Sequence, residues 1–138
     1  MGLTIGVGSE LYYVHSYHEI HLLRGFAAQK ERRELAGKPL FDASRRATFY
    51  NRSYNRFKAL IEHSDAEGGY VPDGVSPPVL RGVLHDEMHW QSSEQLLKEL
   101  RDLAQYRDEM DEYLQTLLDE LTAAAEASVR LKLPMLFS

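Results

Sequence analysis

The sequence predicts a mainly α-helical fold: one compact helical domain over residues 1–138, with a small terminal β-strand pair. Three observations carry that reading. Apolar residues recur at helical spacing in long stretches of the chain. Serine caps and Gly-Pro stops bracket those stretches. Only the two ends, Leu3–Val7 and Leu133–Phe137, read as short extended segments.

The elements follow in order. Leu3-Thr4-Ile5-Gly6-Val7 alternates apolar with small residues and is rich in β-branched types, the pattern of a short strand. Ser16-Tyr17-His18-Glu19 is a capping box, in which serine accepts the Glu19 amide and the glutamate reaches back. It opens a helix with Ile20, Leu23, Phe26 and Ala27 on one face, and Gly37-Lys38-Pro39 closes that region. A second helix is expected from Ala43 to Glu62, with Tyr50, Tyr54, Phe57 and Ile61 as its apolar stripe. The stretch His63–Val75, with three glycines and Pro72, reads as a loop. Ser76-Pro77 starts a short helix running to about Trp90. Ser92-Ser93-Glu94-Gln95 caps a further leucine-rich stripe, Leu96 to Ala104, which Met110 to Ala125 extends as one long helix or two joined near Gln105–Asp108. The closing Leu133–Phe137 segment is expected to return as a strand beside Leu3–Val7.

Composition narrows the function. A chain of 138 residues buries a real core without staples, and with no cysteine there is neither a disulfide nor a thiolate chemistry to consider. No apolar run approaches the roughly 20 residues of a membrane helix, and Met1–Gly6 lacks the pattern of a signal peptide, so a cytoplasmic protein is expected. The net charge of −5 hides an asymmetry. Basic residues dominate from Arg24 to Lys58, and acids dominate from Asp86 to Glu126. Either the halves attract one another, or each is a solvated face, or a basic surface for an anion lies beside an acidic face for a protein partner.

Four places carry chemistry. His63-Ser64-Asp65-Ala66-Glu67-Gly68 is the densest. Aligned on Gly68 as a calcium loop, it puts His63 and Gly74 where the two key carboxylates belong, so a hard cation loses its best ligands. The alternative is that His63 or Ser64 caps the preceding helix and Asp65 bonds nearby amides in an Asx-turn, with binding added to it. His85 and His89, at i and i+4 of the expected helix, share a face suited to zinc, although Asp86 stands where a zinc hydrolase has glutamate. His15, His18 and His21 with Tyr12, Tyr13 and Tyr17 form an aromatic, hydrogen-bonding surface, or ordinary packing. Finally, in the run Arg45–Arg56, Arg45, Arg52 and Arg56 fall on one helical face, apart from the stripe that carries Tyr54. Guanidinium forks bind phosphate and tyrosines stack on bases, so this face suits a small nucleotide; equally, the arginines can pair with the acidic C-terminal helices.

The chain resembles a family of small, uncharacterised bacterial and phage proteins with a His-Ser-Asp-x-(Asp/Glu)-Gly loop. The residues concerned are Met1-Gly2, Ser16-Tyr17, Arg24, His63-Ser64-Asp65, Glu67-Gly68, Pro72 and Leu136-Phe137. Ala66 replaces the cysteine usual in that family, and Asp73-Gly74 replaces an acidic pair. The resemblance implies a shared loop and carries no activity with it.

No complete nucleophile, phosphate loop or metal motif can be assembled. The expectation is therefore a non-enzymatic binding protein of bacterial or phage origin, of the immunity or anti-defence type, needing no cofactor. It would sequester a protein partner or a small anionic ligand such as a nucleotide, through Tyr17, Arg45, Arg52, Tyr54, Arg56, His63, Ser64 and Asp65. Extended nucleic acid and membrane are not expected partners, and a homodimer through the acidic C-terminal helices is a further reading. The alternative function is a metal-dependent hydrolase built on His85 and His89.

Overall fold

The computed structural model describes residues 3–14, 17–47, 56–62, 68–77 and 89–137. Strands β1 (Leu3–Val7) and β2 (Glu10–Val14) pair antiparallel across Gly8-Ser9. Helix α1 (Tyr17–Glu31) leads through a 3-10 turn at Arg33–Leu35 into α2 (Leu40–Arg45). Then come α3 (Lys58–Glu62), β3 (Gly68–Val71) and β4 (His89–Ser92). Helix α4 (Ser93–Leu103), a 3-10 connector (Ala104–Glu109), α5 (Glu112–Leu131) and β5 (Met135–Phe137) complete the chain.

The fold class differs from the sequence expectation. The strands form one five-stranded mixed sheet in the order β2-β1-β5-β3-β4, so this is an α/β fold and not a helical domain with a small strand pair. One part of the expectation holds: the chain ends meet, with Ile5 opposite Phe137 and Val7 opposite Met135. The sheet is larger because β5 also pairs antiparallel with β3, and β3 pairs in parallel with β4. Sequence reasoning read Gly68–Val71 as loop because Gly-Gly weakens a strand locally. Tertiary pairing overrides that preference, and it requires the glycine. A β-carbon on Gly69 would lie 2.0 Å from the Met135 carbonyl oxygen. At this position only glycine leaves room for the Met135 carbonyl where it stands.

Helices cover one face of the sheet. Val7, Met135 and Tyr70 are cross-strand neighbours, all buried, and α4 and α5 pack on that face. The predicted apolar stripes supply the helical side. Ile20, Leu23, Phe26 and Ala27 of α1 are buried, as are Leu96, Leu97 and Leu100 of α4 and Leu114, Leu117, Leu118 and Leu121 of α5. Ser92 caps α4, accepting the Gln95 amide at 3.1 Å.

Three helix expectations need correction. The helix expected over Ala43–Glu62 is not continuous: α2 starts earlier, at Leu40, and Arg56 and Phe57 stand in a bend before α3. Its stripe residues Tyr50 and Tyr54 lie outside the described residues. The helix expected to reach Trp90 gives way to a strand, since His89–Ser92 is β4. The C-terminal pattern is two helices, and the break falls at Tyr106, with φ −101° and ψ 15°.

Candidate functional site

Of the predicted site residues, Arg52, Tyr54, His63, Ser64 and Asp65 lie outside the described residues, as does His85. Tyr17 is the first residue of α1, and Arg45 the last of α2, where its side chain is exposed. Arg56 is the informative one. Asp102 takes one side of its guanidinium, with Nε and Nη2 each 2.8 Å from a carboxylate oxygen. This pair lifts the guanidinium above its ordinary range and holds the Asp102 carboxyl below its own. Part of the Arg56 guanidinium is therefore committed to an acid of the chain itself. The reading that arginines serve the acidic C-terminal half holds for this residue, and Lys30 on Glu109 repeats it.

A buried polar network surrounds α3. Glu99 of α4 accepts the Ala59 amide at 3.1 Å, the Leu60 amide at 2.9 Å and the Gln95 side-chain amide at 2.8 Å. It does for α3 what an N-cap does for an ordinary helix, but from a neighbouring element. Glu31 of α1 accepts the Arg56 amide at 2.9 Å. At the carbonyl end, Arg24 donates to the Leu60 oxygen and the Tyr70 hydroxyl to the Ala59 oxygen, both at 2.9 Å. The segment that leads to His63 is thus held from α1, α4 and β3 together. Burial holds the Glu99 carboxyl above the ordinary glutamate range, against the pull of its three hydrogen bonds. Sequence reasoning missed this residue because position 99 reads as one more charge on an acidic helix, and only the fold buries it.

The second feature is a surface. Residues 93–131 carry ten carboxylates against four basic side chains. Apart from Glu99, which is buried, they stand on or beside α4, the connector and α5. Asp108, Glu109, Asp111, Glu112, Asp119 and Glu126 are exposed. Glu112, Asp119 and Glu126 follow one another at intervals of about two helical turns, so they share one face of α5 with a rise of roughly 10 Å between neighbours. Arg107 lies 2.7 Å from Asp119 and Arg101 3.4 Å from Glu126, in exposed pairs. Among the described residues, Asp108, Asp111 and Glu112 have no cation against them. Tyr113 beside them is also exposed, and burial of its hydroxyl, with Asp111 and Glu19 nearby, raises its pKa. The leucines that suggested a homodimer seam are packed inside the chain's own core, which leaves like charges, not an apolar stripe, on the outer face.

His89, one of the pair read as a zinc site, is the first residue of strand β4, and His85 lies outside the described residues. Among the described residues there is no group of three or more potential metal ligands, and no helix is long and apolar enough to cross a membrane.

No curated protein and no solved structure matches this chain. A family model does, over residues 6–137, and by that match the chain belongs to the family described as "Putative DNA-mimic protein".

Proposed function

We propose that this protein binds a DNA-binding protein without doing chemistry on it, offering the carboxylates of the connector and α5 in place of DNA phosphates. The observation that carries this is the concentration of exposed carboxylate on one helical region of a chain belonging to a DNA-mimic family. Duplex DNA carries about one negative charge per 1.7 Å of helix axis, so a surface that binds it is strongly basic. Such a surface is steered toward an acidic face, and the attraction acts mainly on the rate of encounter. The Arg107 and Arg101 pairs do not oppose this. Exposed ion pairs are worth about 0–1 kcal/mol, so a partner's cations can replace them at little cost.

The same acidity disfavours a small anion. A nucleotide would meet like charge on this face, and Asp102 already takes one side of the Arg56 guanidinium that would have held it. Occupying a partner's DNA site is how an immunity or anti-defence protein would act, and the family membership supports that class of role.

The test uses the full chain immobilised as bait, with the DNA-cellulose-binding fraction of a bacterial lysate as prey. Proteins retained on the bait should be released by double-stranded DNA and by salt. The triple variant D108N/D111N/E112Q should retain several-fold less. Retention indifferent to duplex DNA and to the triple variant would overturn the proposal.

A further inference from the structure

We infer that Tyr106 is a positioning residue: gripped between Lys30 and Arg56, it sets the angle at which the acidic connector and α5 leave α4. This rests on the mimicry reading above for its functional meaning, but its geometry is independent of it. Tyr106 is the residue at which the helical path between α4 and α5 breaks. Its ring lies 4.9 Å from the Lys30 ammonium and 5.3 Å from the Arg56 guanidinium. Each cation touches a second ring, Lys30 that of Phe26 at 5.2 Å and Arg56 that of Phe57 at 5.0 Å. Each also holds a carboxylate, and the two carboxylates flank the break: Asp102 before it, Glu109 after it.

The arrangement has a definite consequence for charge. Lys30 and Arg56 neutralise Glu109 and Asp102, so the clamp adds no net charge to the surface. Asp108, Asp111 and Glu112, next to the break, keep theirs. What the clamp supplies is shape. A DNA-binding site reads charges at fixed positions, and the same carboxylates on a swinging corner would attract a partner yet fit it poorly. The basic residues of the first half then have a reason to exist in an acidic mimic, since two of them fasten the corner that the acids occupy.

The experiment compares Tyr106→Leu, which removes the ring while leaving charge unchanged, with Tyr106→Phe, which keeps the ring. Lys30→Met is the milder second variant should Tyr106→Leu fail to fold. Hydrogen exchange over residues 104–113 should quicken about tenfold in Tyr106→Leu, as expected when two cation–π contacts at one break are lost, and clearly less in Tyr106→Phe, which gives up only the hydroxyl's interaction with Arg56. An octa-arginine peptide, which reads charge and not shape, should bind wild type and both Tyr106 variants alike, with the same salt dependence. The protein retained from the DNA-cellulose-binding fraction should dissociate several-fold faster from Tyr106→Leu and closer to the wild-type rate from Tyr106→Phe, which keeps the ring and loses only the hydroxyl. Unchanged exchange in Tyr106→Leu and Lys30→Met would overturn the clamp. Faster exchange with unchanged dissociation would overturn its role in positioning. If wild type itself retains nothing from that fraction, the mimicry reading fails, and the exchange result still decides whether the clamp exists.

Discussion

Glu99 shows how one side chain can hold two elements together. It buries a carboxyl among α3, α4 and Gln95, and it satisfies two amide donors that α3 cannot satisfy itself. Glu99→Ala leaves both donors buried without an acceptor, at about 1–3 kcal/mol each, so the variant should lose about 2–5 kcal/mol in urea denaturation. The pH dependence has a definite sign. Burial raises this carboxyl's pKa, so the folded chain binds the proton more tightly than the unfolded one. Its contribution to stability is therefore fully present below the ordinary glutamate value of about 4.3 and is lost as pH rises through the raised value. Asp102 behaves in the opposite way. Arg56 lowers its pKa, so its contribution is present above the ordinary aspartate value and is lost as pH falls through the lowered one. Solvent reaches a third of the Asp102 side chain, which makes that effect the smaller. Urea denaturation of wild type against Glu99→Gln should show wild type losing relative stability from about pH 4 upward. Parallel profiles would show that the Glu99 proton is not coupled to folding.

At the scale of elements, close approach decides more than propensity. β3 is a poor strand by composition, yet it sits between β5 and β4 in the sheet. Gly69→Ala would drive a β-carbon into the Met135 carbonyl, and backbone cannot give way as a flexible side chain can. The variant should lose more than about 3 kcal/mol, or fail to fold, by thermal denaturation followed in the far ultraviolet. The same closeness recurs where α1 meets α2, since a β-carbon on Gly25 would lie 1.8 Å from the Leu40 carbonyl oxygen. The α4 cap is an ordinary local device by comparison. Ser92→Ala should cost about 1 kcal/mol in the same measurement.

For the whole molecule, the division of charge along the chain becomes a division of labour in space. Part of the basic half turns inward or sideways: Arg24 onto a backbone carbonyl, Lys30 and Arg56 onto acids of the C-terminal half. The acids left over face outward around the connector and α5. Salt should therefore act differently on stability and on binding. Capture of the DNA-cellulose-binding fraction should fall steeply between about 50 and 200 mM salt, the range over which phosphate-type contacts lose most of their affinity. The melting temperature should move little over that range, because exposed pairs such as Arg107–Asp119 contribute little to stability. A melting temperature that tracked the loss of binding would mean that the charges hold the fold and not the partner.

The sequence by itself determined the features that depend on neighbours along the chain. The stripes of α1, α4 and α5, the Ser92 cap and the acidic excess of the second half were legible from spacing and composition, whereas one helix or two between Ser93 and Leu131 was left open. The meeting of the chain ends was legible too, because both are short apolar segments with little else to bury against. Tertiary structure alone decided the rest. Gly68–Val71 and His89–Ser92 become strands only when β5 offers a partner and the sheet propagates, so local preference pointed to loop and helix. Glu99 and Tyr106 look like one more acid and one more aromatic until α3 and Lys30 are brought against them from distant parts of the chain. Periodicity reports which face of an element is apolar. It does not report which distant backbone amide, carbonyl or cation that face will meet.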